Sequence, residues 1–236
     1  MVFPGGVTFI KDDLGNGLVL LKRPERIISL VPSITETLVE LGAGELLVGV
    51  TDYCIHPKQV VAGIPKVGGT KGFSPEKIDA LGPDLVIANK EENRKDQIDA
   101  LRERYNVYVT YPRTVTQAMK TVQALGSLTR ADAKACEIAQ TCDRIIASTN
   151  RVTLGTQIET ACMVWRDPWM AVGTDTYVSG LLEVFGFRNV FVHSRERYPK
   201  TTLDEIVARR PEVVILPSEP YEFGESDVSE VKSFFG

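Results

Sequence analysis

The sequence predicts an α/β fold made of two similar lobes with mainly parallel sheets, joined by a long rigid helix. Three observations predict it. Short apolar runs alternate with helical patterns along the whole chain, the signature of parallel strands covered by helices. A helix–Pro–strand segment occurs twice, at Ser74–Ile87 and again at Thr202–Ile215. Between the copies lies one long amphipathic pattern with no Pro in it.

The elements follow in order. Thr8 to Leu21 carries Asp12-Asp13-Leu14-Gly15-Asn16-Gly17 between two apolar runs and reads as a hairpin. Apolar runs at Arg26–Val31, Leu47–Thr51, Asp84–Ala88, Val107–Tyr111, Thr160–Trp165 and Glu212–Leu216 are short and nearly continuous, as strands buried on both faces are. Ser33-Ile34-Thr35-Glu36 has the spacing of a capping box, and the helix it opens should end near Gly42. Ser74 before Pro75 is an N-cap and first-turn pair, and Thr202 with Glu205 forms another capping box. In the repeat Ile78 pairs with Ile206, Ala80 with Ala208, and Pro83 with Pro211. An acid follows each proline, Asp84 and Glu212. Between the copies, Gly126-Ser127 should interrupt the helical pattern, and Thr129 to Asp132 should restart it. From there Ala135, Ile138, Ala139, Cys142, Ile145, Ile146 and Thr149 recur at helical spacing, a helix of ~20 residues and about 30 Å. This gives an N-terminal lobe over 1–113, a connecting helical brace over 114–152 and a C-terminal lobe over 153–236. After the strand at Glu212–Leu216 there is room for one helix near Val228–Phe235, so the second lobe is expected to be truncated.

Composition excludes several classes. The chain has 236 residues, 43% hydrophobic and 25% charged, close to the globular average. Its net charge of −4 argues against a dedicated nucleic-acid binder. No stretch approaches the ~18–20 apolar residues of a membrane span, so no direct membrane insertion is expected. Met1 to Leu21 lacks the basic start and apolar core of a secretory signal, which leaves removal of a signal or a cytoplasmic location. Cys54, Cys136, Cys142 and Cys162 form no C-x-x-C pair, and only His56 and His193 are present, so no zinc signature is written. Gly68-Gly69-Thr70-Lys71 lacks P-loop spacing, and neither a G-x-S-x-G elbow nor a G-x-G-x-x-G turn occurs. No catalytic residue and no catalytic cofactor is expected.

The run from RIISLVPSITETLVELGAGELLVGVTDY, through VGGTKGFSPEKIDALGPDLVIANKEENRKDQIDAL, to TLDEIVARRPEVVIL carries a resemblance. It is similar to the cobalamin- and iron-chelate-binding proteins of ABC importers, the helical backbone metal receptors, over roughly residues 8–216. The resemblance implies a class III periplasmic-binding-protein-like fold. It implies a substrate-binding component that captures a metal chelate (cobalamin-like, haem or ferric siderophore) between the lobes. It implies a periplasmic or cell-surface location and an ABC permease as partner. Members commonly dock through one acid on each lobe, here Glu76 and Asp204, with Glu205 as a substitute. A carboxylate in the first turn of a helix also complements the helix dipole, which needs no permease. The family adds a final strand and helix that this sequence lacks.

In open α/β sheets ligands lie beyond the carboxyl ends of strands. Those ends yield Tyr53, Asn89, Lys90, Trp165, Arg166, Trp169 and, beyond the apolar run Val190–His193, Tyr198. The aromatic rings offer flat apolar faces with polar edges, suited to a corrin, porphyrin or catecholate chelate. Trp165 also reads as a core residue at a strand end, the reading the sequence favours. Lys90, Arg94 and Arg166 suit anionic side arms, although the alternating signs of Lys90 to Lys95 also fit a solvated helix start. By resemblance, Tyr53 matches a cobalamin-contacting position, while Thr70 and Asn89 stand where cobalamin-binding members have aromatic contacts. His56 is a candidate axial ligand to cobalt or haem iron, since neutral imidazole binds both. Two other readings stay open: a cytoplasmic carrier or sensor of a corrinoid, haem or metal chelate on the same fold, and an enzyme whose residues assemble only in space.

Overall fold

The structure, a computed structural model, describes residues 8–152 and 157–235. Residues 153–156, where the sequence places the opening of the C-terminal lobe, lie outside the described residues. By internal contacts, 8–112 with 119–140 form one compact unit, and 113–118 with 141–152 and 157–235 form the other.

The first unit opens with β1 (Thr8–Lys11) and β2 (Gly17–Leu20), an antiparallel hairpin with Phe9 opposite Val19. Asp12 shapes its turn by accepting the N–H groups of Leu14 and Asn16 at 3.0 and 2.8 Å, while its buried carboxylate pairs with Arg102 at 2.7 Å. Then come β3 (Ile27–Ser29), α1 (Pro32–Glu40), β4 (Leu47–Val50), α2 (Lys58–Val61), β5 (Gly68–Gly69), β6 (Gly72–Phe73), α3 (Pro75–Leu81), β7 (Leu85–Asn89), α4 (Lys95–Arg102) and β8 (Val107–Thr110). The main sheet runs β4–β3–β7–β8, every pair parallel. Leu85, Val86, Ile87 and Ala88 in β7 are all fully buried, because hydrophobic clusters cover both faces of the sheet. Each such larger side chain contributes roughly 1.5–3 kcal/mol by leaving water. That two-sided burial is why these runs read as continuous rather than alternating.

Two expectations in this unit are corrected. The capping box at Ser33 does not form: α1 starts at Pro32, with Val31 in extended conformation as its N-cap and no side-chain cap. Proline at the first helical position has φ already set and lacks only an N–H that the helix leaves unpaired. The break at Gly126-Ser127 does not occur either. α5 (Val115–Thr129) runs through it, and the chain turns at Arg130, whose φ is +64°, before α6 (Asp132–Val152). A Cβ on Gly126 would lie 2.4 Å from the Cβ of Ala135, so the glycine is there to let the two helices touch. α6 has 21 residues, as its periodicity requires, and begins in the first unit and ends in the second.

The second unit is built on β9 (Ile158–Trp165). β10 (Met170–Ala171) pairs with it antiparallel, and β11 (Phe187–Asn189) and β12 (Val213–Ile215) pair with it in parallel. Its helices are α7 (Tyr177–Val184), α8 (Leu203–Ala208) and α9 (Glu225–Phe235). The apolar run Val190–His193 is a turn; the ladder residues lie just before it in β11.

The repeat is a structural one. Ser74 and Thr202 cap α3 and α8 by accepting the N–H of Lys77 and of Glu205, each at 3.2 Å. Ile78 and Ile206 are fully buried. Gly82 and Arg210, paired by the repeat, both have φ +53°. The acid after each proline joins the neighbouring strand in the same way. Asp84 donates its N–H to Arg26 O and accepts the N–H groups of Arg26 and Glu25; Glu212 donates to Glu159 O and accepts the Glu159 N–H.

Candidate functional site

In the first unit the carboxyl ends of β3, β4 and β7 gather three loops. Tyr53 follows β4 and is 64% exposed. Beneath it lies the β5–β6 hairpin: Asp52 N–H donates to Gly68 O at 2.9 Å, and a Cβ on Gly69 would sit 3.4 Å from the Tyr53 ring. Gly68 has φ +114°, and a Cβ there would meet Gly72 O at 2.8 Å and Phe73 Cα at 2.9 Å, so only glycine closes this hairpin without strain.

The third loop, after β7, is organised by two asparagines. Asn89 Oδ1 accepts the N–H groups of Glu91 and Glu92 at 2.8 and 3.3 Å, and its Nδ2 donates to Thr110 Oγ1 at 3.1 Å. Asn93 is buried. Its Oδ1 accepts the Asn89 N–H at 2.8 Å, and its Nδ2 donates to Leu30 O at 3.2 Å and Thr70 O at 2.8 Å. Asn93 thus ties β3, β7 and the hairpin under Tyr53 together. Nothing in its own sequence neighbourhood announces this, since two of its partners are 23 and 63 residues away. The Asn89-x-x-x-Asn93 spacing after the strand does not reveal those distant partners. Lys90 is exposed, with its ammonium 4.1 Å from the centre of the Tyr111 ring. Arg94 is paired with Asp96 at 2.6 Å.

The ends of β3 and β4 also bury a hydroxyl–thiol cluster. Thr35 Oγ1 donates to Ser29 Oγ, and the Cys54 thiol lies 3.2 Å from Thr35 Oγ1 and 3.1 Å from Thr51 Oγ1. His56 is exposed and lines an open cavity of about 560 Å³ with Glu36, Glu40, Val122 and Ile138. Among the described residues no group of three His, Cys, Asp or Glu side chains is placed to hold a metal ion.

In the second unit the residues after β9 form an aromatic cluster. Trp165, 43% exposed, meets Tyr221 edge-on at 5.4 Å. Trp169 stacks on Phe223 at 5.8 Å with planes 7° apart, and Tyr221 and Phe223 touch at 4.7 Å. Tyr221 and Phe223, both missed from sequence, come from the loop before α9. The Arg166 guanidinium lies 5.6 Å from the Trp169 ring centre and ion-pairs with Asp227 and, at 2.6 Å, with Glu230, both on α9. Asp227 also accepts the Gly224 N–H at 2.7 Å; that bond, and the Arg166 charge, hold its carboxyl below the usual carboxylate range. The segment 197–201 lies along 169–173, with Thr201 N–H on Trp169 O and Ala171 N–H on Pro199 O, which sets exposed Tyr198 beside the same loop. Thus Trp165, Arg166, Trp169 and Tyr198 fall together in this unit, as Tyr53, Asn89 and Lys90 do at the sheet end of the first.

Glu76 and Asp204 are exposed in the first turns of α3 and α8. Glu76 accepts the Ser74 hydroxyl at 2.7 Å, which lowers its pKa; Glu205 instead accepts the Thr201 hydroxyl at 2.9 Å.

Comparison with known proteins bears on this arrangement. The family described as periplasmic binding protein matches residues 27–235. The chain is 25% identical over 202 residues to the vitamin B12-binding protein of Vibrio parahaemolyticus, covering 84% of this chain and 73% of that one. Its fold is similar to the periplasmic vitamin B12-binding protein of Vibrio cholerae, with TM-score 0.73, 24% identity, and coverage of 81% of this chain and 76% of the other. It is also similar to a periplasmic haem-binding protein from Pseudomonas aeruginosa, with TM-score 0.76, 20% identity, and coverage of 89% and 77%.

Proposed function

The chain belongs to the periplasmic binding protein family and is a binding protein, not an enzyme; from that premise we propose that it captures a metal chelate outside the cytoplasm and delivers it to an ABC permease. The chelate class is cobalamin-like, haem or a ferric siderophore. The observation that carries this is the aromatic cluster after β9, where four rings stack or meet edge-on at the carboxyl end of the sheet. So large an aromatic surface suits a broad, flat ligand, because area burial and ring stacking both scale with contact.

In this reading Trp165, Trp169 and Tyr198 are the candidate ligand contacts of the second unit, and Tyr53 and Lys90 are those of the first. Asn89 shapes its loop, and His56 is the candidate axial ligand. Glu76 and Asp204, exposed at equivalent helix starts, are the docking carboxylates. The residue types agree with this assignment: the exposed phenols of Tyr53 and Tyr198 and the exposed indole of Trp165 supply apolar faces, with Trp169 half-buried.

Titration with cyanocobalamin, iron protoporphyrin and a ferric tricatecholate, followed by tryptophan quenching, tests the proposal. One of the three should bind with Kd at or below about 1 μM, a free energy of about −8 kcal/mol. Trp169→Ala should weaken that binding at least about tenfold by removing a stacked ring. Glu76→Ala with Asp204→Ala should leave Kd unchanged and slow uptake in cells. Failure of all three ligands to bind counts against the proposal.

A further inference from the structure

Arg166 sits where a cation for an anionic ligand is expected, directly after β9. Its surroundings indicate another role. The guanidinium has five N–H donors in a planar fork, and both terminal nitrogens already face carboxylates, Asp227 on one and Glu230 on the other. Asp227 is only 3% exposed and is itself fixed by the Gly224 N–H. The Arg166 side chain is 26% exposed. One positive charge against two negative ones leaves the cluster net negative, which repels a ligand carboxylate rather than pairing with it. The guanidinium carbon lies 5.6 Å from the Trp169 ring centre, within reach of a cation–π contact.

We infer that Arg166 is a positioning residue: Asp227 and Glu230 of α9 latch it, and it sets the orientation of the Trp169 ring against Phe223. This rests on the reading of Trp169 as a ligand-contacting ring. It adds that Arg166 itself, held by two carboxylates, does not serve as the counter-charge for carboxylate arms of the ligand. Trp169 is held from two sides, by Phe223 stacked on it and by the guanidinium beside it. Both holds come from residues on or tied to the 223–230 segment.

The test compares Arg166→Met, Arg166→Lys and Asp227→Asn in a Trp165→Phe parent, so that Trp169 is the one indole observed. Two probes are titrated, iron protoporphyrin with its two propionates and its dimethyl ester, which carries none. A latch predicts that Arg166→Met and Asp227→Asn weaken both probes by the same factor, up to about tenfold for a stacking ring set at the wrong angle. Arg166→Lys should recover part of the loss. A direct ion pair with the ligand predicts instead that Arg166→Met weakens the diacid and spares the diester, and that result overturns the inference. The second measurement needs no ligand. The long-wavelength tryptophan band in near-ultraviolet circular dichroism should change in Arg166→Met and Asp227→Asn and return toward the parent in Arg166→Lys. An unchanged band in both disrupted variants also overturns the inference. Should the parent bind neither porphyrin, the haem reading fails while the dichroism still decides the latch.

Discussion

Replacing Asn93 by Ala removes three hydrogen bonds at once. The Leu30 and Thr70 carbonyls lose a donor and the Asn89 N–H loses its acceptor, around a side chain that is 6% exposed. Each net bond is worth ~1 kcal/mol, and a buried group left unpaired costs more than an exchanged one. The expected loss is about 3 kcal/mol. For a chain of this size about 1 kcal/mol shifts Tm by roughly 2–4 °C, so Tm should fall by roughly 6–12 °C. Asn93→Asp is the discriminating partner. Its carboxylate still accepts the Asn89 N–H but cannot donate to the two carbonyls, and at neutral pH it repels them. It should lose at least as much as Asn93→Ala. Thermal unfolding by circular dichroism gives the magnitude, and amide exchange gives the place: Gly68 to Phe73 should lose protection ahead of β7. A Tm shift below about 3 °C in both variants, or loss of protection spread evenly over the unit, would refute the assignment of Asn93 as the tie.

Three further outcomes are expected. Arg210→Gly should stabilise the protein by about 1 kcal/mol in urea unfolding, because Arg210 holds the left-handed backbone that its counterpart Gly82 adopts without a Cβ, whereas Arg210→Ala should give no gain. Cys136 is exposed and should react with a thiol reagent at pH 8, while buried Cys162, whose thiol burial pushes up to about 11, should react only after unfolding; equal labelling of the two would contradict the burial. Asp227 has a lowered folded pKa, so its contribution is present above the ordinary carboxylate value of about 3.9 and is lost as pH falls below that through the folded value. The Trp169 dichroism should therefore hold steady from neutral pH down to about pH 4 and change below it, and Asp227→Asn should abolish that acid step.

What could be read from sequence was whatever depends on near neighbours. Ser74 and Thr202 cap their helices through bonds spanning three residues, and both caps are where the sequence places them. The β7 run is legible because burial on both faces removes any alternation. The two-lobed α/β class follows from these local units. Ser33 misled because Pro32 before it had already started the helix. Gly126 misled because a glycine that breaks a helix and one that admits a neighbouring helix look alike in one dimension; the contact with Ala135 decides it. The run Val190–His193 misled because Phe191 is buried without belonging to a ladder. At the candidate site, Tyr53, Trp165 and Trp169 were legible as strand-end aromatics. Tyr221, Phe223 and Asn93 were not, since their roles exist only through partners far along the chain. Arg166 shows the same limit in another form: its charge was legible, but not the two carboxylates, 61 and 64 residues on, that already neutralise it.

The matched joints at Asp84 and Glu212 bear on how the polypeptide acquires its form. Each is a two-way clasp between a strand and its hydrogen-bonded neighbour in its own sheet, and neither borrows an atom from the other half. The earlier clasp closes across 58 residues and the later across 53. A nascent chain therefore has all it needs for the first clasp once Asp84 has left the ribosome, more than a hundred residues before the second becomes available. The duplicated stitch lets synthesis proceed in two instalments, each fastened by its own acid.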